Sequence, residues 1–394
     1  MIYLDNGATT FPKPDCVYNA MDRFARTGAV NAGRGAYRAA REAGKMVEET
    51  RELLISLLDA REQAEAVFAP SATVMLNQII LGQNWTADSV AYVSPYEHNS
   101  VLRPLEEMRK RFGFSVRQLP LRGDGGIDLD AVEARFAGEP PSFVAVSAVS
   151  NVTGYILPAE EIFRLAKRYK AFTLLDGSQA VGLIPLRFGR LRADAVTFAG
   201  HKTLYGPFGI AGCLIRNKAE LNVVLSGGTG SRSTSLETPR RMPGRLECGS
   251  KDTVAIQGLN AALKWLRTVN PLERERELTD YLLASLRDIP GIHLYTAPSP
   301  ERQAGVVSLN LDGFQCGEAA AILDSRRDIA VRAGHHCAAL IHERLGNRDF
   351  RGTVRVSLGY FNRRSDIDAL AEALRTMDRK QLENVNPDSL RGLC

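Results

Sequence analysis

The chain has 394 residues, 44% of them hydrophobic and 24% charged, the balance of a soluble globular protein with more than one core. Fifty basic against forty-five acidic side chains leave a net charge of +5 with no basic block, and no apolar run approaches bilayer length. Nucleic acid and membrane are therefore not expected as partners. The six cysteines (16, 213, 248, 316, 337 and 394) form no CxxC pair, and Met1 to Asn6 has no charged and apolar leader pattern. A reducing, cytoplasmic location is expected.

Ile2–Leu4 reads as a short strand, followed by a turn-rich stretch to Pro14 and a helix from Cys16 to Thr27. Asn31 to Gly35 is a glycine-spaced break holding Arg34. Ala39–Leu58 carries the spacing of a long amphipathic helix. Strand Ala66–Ala69, the small polar turn Pro70 to Thr73 and helix Val74–Leu81 come next. Strand Ser89–Val93 ends near Glu97 and His98, where another helix opens. Helix Leu105–Phe112, strand Ser115–Leu119 and helix Leu129–Ala137 precede strand Phe143–Ser147, which runs into Ser150 to Gly154. Helix Glu160–Tyr169 leads to strand Phe172–Asp176, and strand Ala195–Phe198 leads to Gly200, His201 and Lys202. After strand Ala211–Ile215 come a glycine cluster at 227–230 and a polar stretch to Arg245. The cluster lacks the lysine and helix of a phosphate loop and is expected to be a mobile loop near the site. A helix over Val254–Val269 is expected to contain a domain boundary.

From Pro271 the pattern becomes helix, strand Val306–Leu311, helix Gly317–Leu323, strand Ile329–Arg332, a loop, strand Thr353–Ser357 and helix Ile367–Met377. The expected fold is α/β: a large domain with a mostly parallel, doubly wound sheet and a smaller α+β domain. The expected divisions are 1–14, a segment near the small domain; 15–260; 261–380; and a loosely held tail, 381–394.

In a doubly wound sheet, ligands lie beyond the carboxyl ends of the strands. Thr73, His98, Asn151, Asp176, Gln179 and Lys202 all fall at such ends. A lysine flanked by glycines is the amine that forms a Schiff base with a carbonyl cofactor. With an aspartate to pair a pyridinium nitrogen, it forms the protein side of pyridoxal 5'-phosphate (PLP) chemistry. The turn at Ala72 and Thr73 offers a helix N-terminus to a phosphate, although an N-cap by Ser71 or Thr73 explains the same residues. Cys337 follows Arg332, His335 and His336 on a loop, surroundings that favour a thiolate nucleophile. A passive buried cysteine remains the alternative. Adjacent side chains in extended backbone point apart, so His335, His336, Cys337 and His342 are not expected to bind metal.

The stretches Tyr3 to Thr10, Glu97-His98, Ser150 to Gly154, Asp176 to Ala180, Gly200-His201-Lys202, Arg332 to Cys337 and Arg355-Val356-Ser357 resemble, in order, the class V aminotransferase group of fold-type I PLP enzymes. The closest resemblance is to cysteine desulfurases and selenocysteine lyases, with an Arg-x-Gly-His-His-Cys form like their group II branch. The resemblance implies that Lys202 holds PLP and moves the substrate Cα proton. Asp176 would pair the ring nitrogen, Gln179 the ring hydroxyl, and His98 would stack on the ring. Thr73 and His201, with Ala72 beside them, would hold the phosphate, joined by Ser250 from the other subunit of a homodimer. Arg355 would clamp the substrate carboxylate beside Asn151, and Arg34 would lie near the partner's active site. Cys337 would take sulfur from L-cysteine, or selenium from selenocysteine, as a persulfide for an acceptor protein or small thiol, releasing alanine.

Three positions depart from the family pattern: Ala72 and Ala199 stand where hydroxyl residues are common, and Cys248 where alanine is usual. Two rival functions follow: a C–S lyase or aminotransferase in which Cys337 is incidental, and an inactive relative acting as a scaffold. The burial cost of Lys202, Asp176, His98 and Arg355 without a task argues against the second.

Overall fold

The computed structural model describes residues 1–32, 35–230 and 234–385. Its larger sheet has seven strands in the order Ala64–Ala69, Ala211–Arg216, Ala195–Ala199, Phe172–Asp176, Phe143–Ser147, Val90–Val93 and Ser115–Gln118. All pairings are parallel except those of Ala211–Arg216, which runs against both neighbours. Phe143–Ser147 and Ala195–Ala199 are buried at every position, as strands covered on both faces must be, which explains their continuous apolar character. Register then places chemistry: Ser147 lies opposite Asp176, and Asp176 opposite Thr197. Three polar side chains thus end up side by side at the carboxyl edge.

The second sheet is antiparallel, in the order Arg332–Gly334, Thr353–Ser357, Val306–Leu311 and Ile292–Tyr295. The run expected as one strand, Ile329–Arg332, is broken at Val331. Ile329–Ala330 pairs in parallel with Ile2–Tyr3, while Arg332–Gly334 joins Thr353–Ser357. Strand Ile292–Tyr295 had no clear sequence pattern, because its exposed and half-buried positions do not alternate cleanly. The loop expected after Cys337 is instead helix Ala339–Leu345.

Helix Thr253–Leu266 packs on Asp15–Thr27 and Arg38–Leu57, and its buried residues through Leu266 belong to the core of the large sheet. The boundary expected at 260/261 falls within this helix, near its middle as expected. Leu4 belongs instead to the second core, with Leu278, Val307, Val356 and Leu370. The N-terminal segment therefore packs with the small unit before crossing to the large one. Arg379–Asn384 forms a short 3-10 turn, and residues 386–394 of the expected tail lie outside the described residues. Among the described residues, no helix is long and apolar enough to cross a membrane.

Candidate active site

A cavity of about 100 Å³ opens at the carboxyl edge of the large sheet, lined by Thr73, His98, Asn151, Asp176, Gln179, His201 and Lys202 among others. Each residue arrives there for a local reason. Ser71 caps helix Ala72–Leu81 by accepting the Val74 N–H. This leaves the amides of Ala72 and Thr73 without intrahelical partners and aims the helix N-terminus at the cavity, as a phosphate requires. The Thr73 hydroxyl lies 2.8 Å from that of Ser100.

His98 caps helix Asn99–Phe112, its Nδ1 accepting the Ser100 N–H at 3.0 Å. Burial and the nearby Lys202 lower its pKa to about 4, so the ring is neutral with its proton on Nε2. Asp176 Oδ1 accepts the Ser178 N–H at 3.0 Å, the Ser178 hydroxyl at 2.6 Å and the Thr197 hydroxyl at 3.2 Å. Its other oxygen has no partner among the described residues. Gln179 donates to the Gly7 carbonyl at 2.7 Å, which leaves its amide oxygen free.

Gly200 lets the chain turn directly after its strand, since a Cβ there would meet the Ile210 carbonyl oxygen at 2.5 Å. Lys202 follows on the cavity wall, and burial lowers its pKa to about 8, opposed by Asp176 and reinforced by Arg355 and Arg332. The His201 ring stacks on Phe208 at 4.5 Å, while its Nδ1 is buried without a partner. Burial, with Lys202 and Lys13, holds its pKa down at about 4.

The N-terminal segment ties this loop in place, a contribution that sequence reading missed. Lys13 Nζ donates to the His201 carbonyl at 2.7 Å and to the Thr10 hydroxyl at 2.7 Å. Thr10 also donates to the Lys202 carbonyl at 3.1 Å. Burial lowers Lys13 to a pKa of about 7. Glu97 is another unforeseen member. Fully buried, it accepts from Ser94, and from the N–H and hydroxyl of Ser147 at 2.6 and 3.0 Å. Desolvation raises its pKa to about 7, and Asp176 adds to the rise. Its only sequence signal was a carboxylate beside His98.

From the small unit come Arg355 and Cys337. Arg355, 1% exposed, reaches Asp5 Oδ1 at 2.6 Å and the Asn151 carbonyl at 3.2 Å. Cys337 and the preceding His336 both hold left-handed backbone, at φ +57° and +51°. Such consecutive strain persists only where the surroundings enforce it. Here the Asn99 N–H donates to the Cys337 carbonyl at 2.7 Å, Asn151 Nδ2 donates to the His336 carbonyl at 2.7 Å, and His336 Nε2 lies 2.9 Å from the Thr353 hydroxyl. Arg332 Nη2 stands 3.9 Å from Cys337 Sγ, and the cysteine acts electrostatically on Lys202. The loop that carries the sulfur is thus pinned to Asn99 and Asn151 of the large unit.

The class-V aminotransferase family model matches residues 2–370. The chain belongs to this family. Among curated family members, it is 33% identical to a probable cysteine desulfurase of Halalkalibacterium halodurans, over 95% of this chain and 92% of that protein. It is 32% identical to a cysteine desulfurase of Shigella sonnei, over 96% and 94%. Of solved structures, the apo cysteine desulfurase of Thermococcus onnurineus aligns with TM-score 0.88 and 29% identity, covering 95% of this chain and 93% of that one. The cysteine desulfurase CsdA of Escherichia coli aligns at 0.83 and 27%, covering 98% and 95%. The fold is that of the fold-type I PLP enzymes.

Within this class-V frame, two expected residues stand apart. Ser250 is exposed and does not line the cavity. Its segment is anchored by Glu247, which pairs with Arg51 through two 2.7 Å bonds and accepts the Phe68 N–H at 2.6 Å. Arg34 lies outside the described residues.

Proposed function

We propose that this class-V protein is a PLP-dependent cysteine desulfurase that converts L-cysteine to L-alanine and carries the sulfur on Cys337. The observation that carries the reading is that the Cys337 loop is held to the large unit, the Cys337 carbonyl by the Asn99 N–H and the His336 carbonyl by Asn151, which lines the cavity with Lys202. A cysteine incidental to the chemistry would not need two left-handed residues to hold it there. PLP fits the residues present: a helix N-terminus with free amides, the orphaned Nδ1 of His201, an unengaged oxygen on Asp176 and the Lys202 amine. Bound there, PLP supplies an electron sink for the substrate carbon.

The chain's own groups do the rest. Lys202 anchors the cofactor and moves the proton at the substrate Cα. Asp176 would pair the cofactor's ring nitrogen, and neutral His98, with its proton on Nε2, would stack on the ring. Arg355 and Asn151 orient the substrate carboxylate. The Cys337 sulfur, with Arg332 Nη2 at 3.9 Å, attacks the substrate sulfur as a thiolate. An S–S bond forms as the Cβ–S bond breaks; the electron pair stays with the carbon, and a proton completes alanine. The persulfide then passes to a thiol acceptor, a protein or a small molecule.

We also read the protein as a homodimer in which exposed Ser250 reaches the phosphate bound by its partner. Cys16, Cys213, Cys248 and Cys337 form no disulfide among the described residues, in keeping with a reducing compartment such as the cytoplasm. The test is product analysis with L-cysteine, with and without a thiol reductant. Alanine as the main product, lost in Cys337→Ala while the yellow cofactor colour remains, supports the reading. Pyruvate and ammonia in both proteins would make it a lyase, and a colourless protein unchanged by Lys202→Ala would leave a scaffold.

A further inference from the structure

Arg355, the expected substrate clamp, already holds an anion. Its guanidinium is 1% exposed, and a buried guanidinium left without an anion is strongly destabilising. The counter-ion is Asp5, at 2.6 Å from Nη2, brought from the far end of the chain by the bridge between Asp5 and Ser357. The fit is incomplete. Asp5 uses one oxygen on one nitrogen, Nη1 takes the Asn151 carbonyl, and Nε is buried with no partner. An arginine fork is best satisfied by a carboxylate spanning two of its N–H groups side by side. A side chain at position 7 would crowd the fork, because a Cβ at Gly7 would stand 3.2 Å from the guanidinium carbon.

Releasing Asp5 does not require the segment to move. The Asn6 N–H donates to the Ser357 carbonyl at 3.2 Å and the Gly7 N–H to the Ser357 hydroxyl at 2.8 Å, so the backbone is held independently of the carboxylate. The side chain is 20% exposed and can rotate away.

Resting on the functional reading above, we propose that Asp5 is a built-in placeholder for the substrate carboxylate. It neutralises Arg355 while the site is empty and gives way to the amino acid. The placeholder weakens binding by the fraction of time it occupies the fork. Occupancy of about nine-tenths raises the apparent Kd about tenfold. It weakens only ligands whose carboxylate must displace Asp5, and amines that lack a carboxylate bind unaffected.

The test uses the PLP-loaded protein and follows the cofactor spectrum during titration with L-alanine, which presents the carboxylate without sulfur chemistry, and with cysteamine, which lacks the carboxylate. Asp5→Asn and Asp5→Ser are compared with wild type, with circular dichroism to show that both are folded. The expected result is about tenfold tighter L-alanine binding in both variants, with cysteamine unchanged. Asp5→Glu should return L-alanine affinity toward wild type. Equal or weaker L-alanine binding in the folded variants would make Asp5 a permanent support and overturn the proposal. Failure of both neutral variants to fold would do the same. A wild-type protein with no cofactor spectrum at all would instead reject the functional reading.

Discussion

Replacing Asp176 with asparagine removes a charge and keeps a shape. The amide oxygen can still accept the Ser178 N–H and hydroxyl at 3.0 and 2.6 Å and the Thr197 hydroxyl at 3.2 Å, so the variant should fold. What disappears is the anion that acts on Lys202 and, in the proposed function, the charge partner of the cofactor's ring nitrogen. Removing one member of a buried charge pair costs about 3 kcal/mol or more. At about 1.36 kcal/mol per tenfold in rate, turnover should fall by roughly two orders of magnitude while PLP stays bound. A second consequence is independent of turnover. Asp176 holds the Lys202 pKa up to about 8 against burial and two arginines. Without it the amine loses its proton at lower pH, so the midpoint of PLP uptake by the apoprotein should move below about 8. Alanine release and cofactor absorbance across pH measure the two effects. Near-wild-type turnover, or a midpoint that stays or rises, would refute the assignment.

Three other outcomes are expected. Arg355→Lys keeps the charge but loses the fork that reaches both Asp5 and the Asn151 carbonyl, so KM for cysteine should rise with the cofactor spectrum unchanged; steady-state kinetics check this. Asn99→Pro deletes the N–H that docks the Cys337 carbonyl, at a first helical position where proline is tolerated and behind a His98 already at φ −72° and ψ 152°. The loss of about 1 kcal/mol of docking should slow alanine formation severalfold and speed alkylation of Cys337. Glu97 titrates at about 7 instead of 4.5, so in that interval the folded protein keeps a proton that the unfolded chain has lost. Stability should therefore fall as pH rises through the interval, and Glu97→Gln should flatten the slope in chemical denaturation.

The carboxyl edge of the large sheet was legible because buried parallel strands are continuous apolar runs that stop at polar residues. Asn151, Asp176 and Lys202 each follow such a run. The small unit was less readable. The run Ile329–Arg332 is uniformly strand-like, and only the N-terminal segment pairing with its first half reveals the break. Ser147 and Thr197 looked like ordinary strand residues until register set them beside Asp176. Lys13 and Asp5 carried no local signal. Their roles arise from contacts with residues 188 and 350 positions away, which depend on the two units being assembled. Helix Ala339–Leu345 was hidden because its short sequence is mixed in polarity and buries only Ile341 and His342.

The central claim is that Cys337 receives the sulfur. Peptide-resolved mass spectrometry after brief exposure of the PLP-loaded protein to L-cysteine tests it directly. One added sulfur atom is expected on the peptide containing Cys337, removable by a thiol reductant and absent in Cys337→Ala. An unmodified Cys337 peptide while alanine accumulates, or the added sulfur on Cys248 or Cys16 instead, would contradict it.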